Sequence, residues 1–257
     1  MHSILNYSVE GEGIPLVLLH GFLESSSMWD FLPLNDLKMK IIRIDLPGHG
    51  KSIQYSDTNP TINYFASCII EVLDELAVNE FHLIGHSMGG YVALTIAKEY
   101  PSRIITCGLL NSNFWGDSDE KKSDRTRVVE VVKKNKNIFI NQSIPRLFHN
   151  HLNYQKEIAM LIFDAKMMTS EAIAFSSIAM RDRDDNSDLV NNSNQVDIYV
   201  IQGDKDKTIP INTMQERLLI KDVLYIISDS GHMSHIEQSN QVFKIVMKKM
   251  NYSSISN

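Results

Sequence analysis

Six short apolar runs recur along the chain with helical patterns between them, and this alternation limits the possible folds more than any other feature of the sequence. The runs are Leu16-Val17-Leu18-Leu19, Ile41-Ile42-Arg43-Ile44, Phe81-His82-Leu83-Ile84, Ile104 to Leu110, Ile198-Tyr199-Val200-Ile201 and Val223 to Ile227. A strand that is apolar on both faces must be covered on both, so the runs imply a mostly parallel sheet flanked by helices. The intervening segments supply the cover. Ile62 to Ala77 and Tyr91 to Ala97 place apolar side chains at helical spacing, and Pro101 closes the second.

The alternation lapses after Leu110, where about 80 residues, Asn111 to Val190, carry helical patterns and no convincing strand before the sheet resumes. The expected organisation is therefore a core of residues 1–110 and 191–257 with an inserted helical cap, residues 111–190. The insertion holds Phe114, Trp115, Phe139, Phe148, Met160, Met167, Met168, Phe175 and Met180, more apolar bulk than a solvated excursion needs. Most of it is expected to form the cap's own core and a minority to line a pocket. Asn191 to Gln195 reads as the loop back to the sheet, and the tail after Met250 as frayed.

A chain of 257 residues, 43% hydrophobic, can bury one substantial core. Its net charge of −6 and scattered Lys and Arg exclude a nucleic-acid partner. Cys68 and Cys107 lack the paired spacing of a zinc or redox site and read as buried free thiols. No stretch approaches the ~18 apolar residues of a membrane span and no secretory leader is recognisable, so a soluble, cytoplasmic protein is expected. Oligomeric state is left open.

Directly after the apolar run ending at Ile84 comes Gly85-His86-Ser87-Met88-Gly89-Gly90, which satisfies the Gly-x-Ser-x-Gly nucleophile elbow with a strand before it and a helix after it. Such a turn holds the serine in a strained conformation, and the small residues on either side let neighbouring backbone approach. The following helix start offers unpaired N–H groups and partial positive charge, which suit an oxyanion.

At these residues the sequence resembles the α/β-hydrolase superfamily, specifically its carboxylesterase-like branch with a helical cap, and the resemblance covers nearly the whole chain. It implies an α/β-hydrolase fold: a mostly parallel central sheet flanked by helices. Ile4 to Val9 resembles the second strand of the usual sheet, and residues for a first edge strand are missing, so about seven strands are expected. His20-Gly21-Phe22 matches the family's His-Gly loop, which implies that the N–H groups of Phe22 and Met88 form the oxyanion hole and that His20 is a structural loop residue. Asp45-Leu46-Pro47-Gly48-His49-Gly50-Lys51-Ser52 matches a further family loop that shapes the scaffold, and its spacing is not that of a phosphate loop.

The family runs Ser, then Asp or Glu, then His. In Gly203-Asp204-Lys205-Asp206, Asp206 stands three residues after the glycine where the family carries its acid, and Asp204 reads as a turn residue. Some members place the acid after the strand preceding the cap, but here Asn111-Ser112-Asn113 follows Leu110 with no carboxylate. Of nine histidines, His232 in Ser230-Gly231-His232-Met233 matches the terminal histidine segment, with His235 its main competitor and His86 expected beneath the elbow.

The resemblance thus implies a serine hydrolase that cleaves carboxylic esters through an acyl-enzyme on Ser87, with His232 as base and Asp206 orienting it, and with no metal or cofactor; the aromatic and methionine content of the cap favours small, apolar substrates. Two alternatives share these residues. A carbon–carbon bond hydrolase or a lyase of menaquinone biosynthesis would need pocket arginines, for which Arg146, Arg181 and Arg183 are the candidates. Arg181-Asp182-Arg183-Asp184 reads more simply as a solvated salt-bridged turn. A non-catalytic ligand receptor that retains the triad is the third reading.

Overall fold

The computed structural model describes residues 5–53, 59–192 and 194–251. Its strands are β1 (Tyr7–Glu10), β2 (Pro15–Leu19), β3 (Lys40–Ile44), β4 (Phe81–His86), β5 (Ile104–Leu110), β6 (Asp197–Gly203) and β7 (Leu224–Ile227). They form one seven-stranded sheet in the order β1-β3-β2-β4-β5-β6-β7. Only β1 pairs antiparallel, along β3; the remaining five pairings are parallel. The strand count agrees with the expectation from sequence. Ile4, where the first strand was expected to begin, and the tail from residue 252 lie outside the described residues.

Side-chain alternation sends the residues of one strand to opposite faces. Val17 and Leu19 of β2 join a cluster with Ile42, Ile44 and Leu83. That face is covered by α1 (Ile62–Glu75), capped by Thr61, whose hydroxyl accepts the Tyr64 N–H, and by α2 (Met88–Glu99). Leu16 and Leu18 join a second cluster on the other face with Ile84, Tyr199 and Ile201. Cys68 on α1 and Cys107 on β5 are buried and form no disulfide.

Between β5 and β6 the chain runs through α3 (Asp119–Ser143), α4 (Gln155–Met167), α5 (Ser170–Arg181) and α6 (Ser187–Asn192), with no strand among the described residues. α3 breaks at Asn135, whose side chain accepts the Ile138 N–H and so caps the second half. After β6 come α7 (Ile211–Arg217), α8 (Ser234–Glu237) and α9 (Ser239–Asn251), and α9 adds Val242, Phe243 and Val246 to the second cluster.

The apolar residues between β5 and β6 divide differently from the expectation. Phe148 and Met168 do belong to a separate helical cluster, but Phe114, Phe175 and Met180 extend the first sheet cluster. Met160 and Met167 are 53% and 66% exposed. Both stand on the side of α4 opposite Ile158, Leu161 and Ala165, which already fill the helix's inner stripe. The helical cluster also takes in Leu23, from the loop after β2, and Met233, from the loop before α8. The helical layer therefore rests on the two loops that flank Ser87.

No helix among the described residues is long and apolar enough to cross a membrane.

Candidate active site

The sheet order reverses between β2 and β4, and a crevice opens beyond the carboxyl ends of strands at such a switch point. Ser87 stands there as the single residue between β4 and α2, at φ 48° and ψ −112°. A positive φ costs a non-glycine residue roughly 1–3 kcal/mol, so surrounding contacts must hold it. The Ser87 N–H donates to the Leu110 carbonyl at 3.0 Å, and its own carbonyl accepts from Gly90 N–H and, at 2.7 Å, from the Ser112 hydroxyl. A Cβ on Gly85 would lie 2.2 Å from the Gly89 carbonyl oxygen, and one on Gly89 would lie 2.5 Å from that of Leu19. Only glycine permits so tight an elbow.

Nε2 of His232 lies 2.9 Å from the Ser87 hydroxyl, and its Nδ1 lies 2.8 Å from Oδ2 of Asp206. Both side chains are buried. The residues come from the ends of β4, β6 and β7, separated by 26 to 145 positions in sequence. Asp206 Oδ2 also accepts from the side-chain amides of Gln202 and Asn111, and Oδ1 from the N–H groups of Thr208 and Ile209. Burial works against the ionised carboxyl, yet the His232 ring and these donors outweigh it and hold Asp206 below the usual carboxylate range. An ionised Asp206 fixes the imidazole proton on Nδ1 and leaves the Nε2 lone pair facing Ser87.

The competitors lie elsewhere. Asp204 accepts the Ser230 N–H and pairs with Lys205. His235 is buried against the rings of Trp29, Phe31 and His86. His86 lies behind the elbow, its Nε2 3.0 Å from the His232 carbonyl oxygen.

Phe22 follows β2 in the loop that meets the start of α2, where Gly89 approaches the Leu19 and His20 carbonyls. Met88 opens α2, so its N–H has no partner within the helix. His20 spends both nitrogens on backbone: Nδ1 donates to Gly21 O at 2.8 Å, and Nε2 accepts the Leu46 N–H at 2.9 Å. Asp45 ties its own loop by accepting from Ser26 and Lys51 N–H groups.

Several contributors were not anticipated from sequence. Asn111 follows β5, where a carboxylate would have offered an alternative, and its side-chain amide donates to Asp206 instead. Gln202, inside β6, also holds the Ile209 carbonyl. Glu237 accepts the N–H groups of Gly231 and His149, while the Leu147 carbonyl accepts the His232 N–H, so the segment 147–149 is stitched to the histidine loop. The one sequence signal for these residues was polar character in otherwise apolar surroundings.

Arg183 corrects an expectation. Arg181 and Asp182 do form a solvated pair, but the Arg183 side chain is only 3% exposed. It reaches Asp117 at 2.7 Å, donates to the Trp115 carbonyl and lies over the Tyr91 ring. A guanidinium tucked inside finds a carboxylate and carbonyl oxygens because burial without partners is prohibitive. Arg146 is exposed and lines a groove of about 840 Å³ with Lys121, His149, His151 and Lys207.

The sequence profile of the alpha/beta hydrolase fold matches residues 14–239. A dihydrolipoyllysine-residue acetyltransferase component of the acetoin cleaving system from Pseudomonas putida is 30% identical over 92% of this chain. The chain spans 63% of that relative's length, less than two thirds. A putative 2-succinyl-6-hydroxy-2,4-cyclohexadiene-1-carboxylate synthase from Bacillus subtilis is 27% identical, with 94% of this chain and 93% of the relative covered. Among solved structures, a thermophilic esterase from Thermogutta terrifontis superposes with a TM-score of 0.88 at 28% identity, covering 96% of this chain and 93% of its own.

Proposed function

The chain belongs to the alpha/beta hydrolase fold family, and we propose that it is a serine hydrolase that cleaves carboxylic esters of small, apolar substrates through an acyl-enzyme on Ser87. The observation that carries this reading is the unbroken hydrogen-bonded line from Ser87 Oγ through the His232 ring to Asp206. The similarity to the Thermogutta terrifontis esterase supports the ester reading over other chemistry.

In this mechanism His232 Nε2 takes the Ser87 proton as Oγ attacks the ester carbonyl carbon. The N–H groups of Phe22 and Met88 receive the oxyanion, and one such donor contributes roughly 3 kcal/mol to the transition state. His232 then protonates the departing alkoxide as the carbon–oxygen bond breaks, and Asp206 stabilises the imidazolium in the interval. Water, deprotonated by the same nitrogen, releases the acid and restores Ser87. Residues 111–190 act as the cap over this site, with Leu23 and Met233 as its apolar seat on the core.

The second reading is a lyase or carbon–carbon bond hydrolase on the same three residues, favoured by the whole-length similarity to the Bacillus subtilis synthase. Of the three candidate arginines, Arg146 is the one left without an ion pair among the described residues.

Reaction of the purified protein with a fluorophosphonate probe, beside Ser87→Ala, followed by a chain-length series of p-nitrophenyl esters, tests the proposal. Labelling that vanishes in the variant, with turnover of short esters, is the expected result. Labelling without ester turnover favours the lyase, carbon–carbon hydrolase or receptor readings, and absence of labelling removes the activated serine altogether.

A further inference from the structure

Behind the elbow lies a second acid–histidine pair that the mechanism does not use. Glu24 and His86 are 5% and 1% exposed, and they come from the loop after β2 and the end of β4. Oε2 of Glu24 accepts the Gly21 N–H at 2.6 Å and lies 2.9 Å from His86 Nδ1. The other ring nitrogen, Nε2, lies 3.0 Å from the backbone carbonyl oxygen of His232.

We propose that Glu24 and His86 are positioning residues: a buried carboxylate–imidazolium tie that fixes the loop carrying Phe22 N–H against the backbone carrying His232, and so holds oxyanion donor and base in one spacing about Ser87. The inference rests on the reading of Ser87, His232 and Phe22 given above.

The charge state follows from the partners. A carbonyl oxygen can only accept, so His86 Nε2 carries a proton. Glu24 Oε2 already accepts from Gly21, and a proton on that oxygen would weaken this short contact. A proton on both ring nitrogens and none on the carboxyl satisfies all three contacts together. Burial alone would keep both groups neutral, but Glu24 raises His86, and His86 lowers Glu24 in return.

Four further titratable side chains face this pair. His235 meets the His86 ring at 4.8 Å, and burial together with the His86 charge lowers it to about 3, so it is neutral. His20 lies beside Glu24 and is also lowered, chiefly by burial. The His232 ring lies 5.3 Å from His86, and Asp206 beyond it favours the His86 charge. When His232 takes the Ser87 proton, two neutral-sum pairs stand side by side, Glu24 with His86 and Asp206 with His232. Without Glu24, His86 either opposes the new imidazolium with an unbalanced charge or loses its own proton.

A displacement of about 1 Å at reacting groups costs up to about 100-fold in rate. Glu24→Gln and His86→Gln are therefore expected to lower kcat on p-nitrophenyl acetate about 10- to 100-fold, with KM changed by less than about threefold. The double variant is expected to be no worse than the poorer single variant, because the pair acts as a unit. The fall in kcat at nearly constant KM is the readout that a merely structural contact would not give, and nitrogen-15 spectra of histidine-labelled native protein read the charge state of the tie. One histidine should be protonated on both ring nitrogens at neutral pH, and its signals should be absent in His86→Gln. Folded single variants with native kcat, single losses that multiply in the double variant, or a neutral ring at neutral pH would each overturn the proposal. If the variants do not fold, the native spectra decide. Failure of the underlying reading looks different, since the native protein would then neither take the fluorophosphonate nor turn over ester.

Discussion

Nδ2 of Asn111 stands 3.1 Å from Oδ2 of Asp206, the same oxygen that lies 2.8 Å from Nδ1 of His232. Asn111→Asp would set a second carboxyl beside the first in a site that excludes water, where two like charges cannot both ionise. The acid limb of kcat/KM should move to higher pH by at least about one unit, because the carboxyl pair then holds a proton that Asp206 alone does not. A pH–rate profile identical to that of the native protein would contradict this.

Ser87→Ala should remove fluorophosphonate labelling and lower ester turnover by at least about 10³-fold while leaving the far-UV spectrum unchanged. Ser87→Gly should be equally inactive but more stable than the alanine variant by about 0.5–1 kcal/mol, since glycine adopts a φ of 48° without strain. Urea midpoints of the two variants make the comparison, and a less stable glycine variant would show that the elbow is unstrained.

Glu237→Ala would strip two N–H groups, those of Gly231 and His149, of their shared acceptor. Leaving a donor unpaired away from water costs about 1–3 kcal/mol, so a loss of about 2–6 kcal/mol is expected for the two. Proteolytic nicking should appear first between residues 143 and 155, the segment that Glu237 ties to the histidine loop. Native resistance there would assign its anchoring to Phe148 and Leu147 alone.

Acid should destabilise the protein well before its carboxylates titrate. Burial lowers His49 and His235 from the usual 6.5 to about 3, and His82 to about 4. Above 6.5 these rings are neutral whether the chain is folded or not, and they contribute no slope. Below 6.5 the unfolded chain binds protons that the folded one refuses, so stability falls with pH until the folded values are passed. These three give a slope of up to about 4 kcal/mol per pH unit, and His20, lowered chiefly by burial in the same way, adds to it. His86, raised instead, adds stability that is full below 6.5 and lost as pH rises through its folded value. Stability should therefore peak near pH 6.5, and urea unfolding from about pH 8 to pH 5 checks it; a flat profile would mean that the three histidines admit solvent.

The fold and the elbow were legible because each is written in a short stretch of chain. The run from Leu16 to Leu19 carries its two-sided burial in four residues, and Gly85 to Gly89 carries the sharp turn in five. The constraints are local backbone sterics and local hydrophobicity, which depend on neighbours within a few positions. Even the residues recognised by family resemblance sit in such stretches, at the ends of strands.

What tertiary structure decided was which polar groups meet after the strands pair. Asn111 meets Asp206 across 95 positions and His86 meets Glu24 across 62, and nothing near either residue in sequence selects its partner. The same holds for Arg183, which reads as a surface charge yet finds Asp117 inside, and for Met167, which reads as core yet stands on the outer side of its helix. Burial of a polar or apolar group depends on the whole shape of the folded chain, and the parallel sheet that sets that shape is assembled only when distant runs align. The sequence by itself determined the sheet, the elbow and the identity of the groups at the strand ends; the fold alone determined their distances, charges and partners, because those depend on neighbours that the chain brings together only on folding.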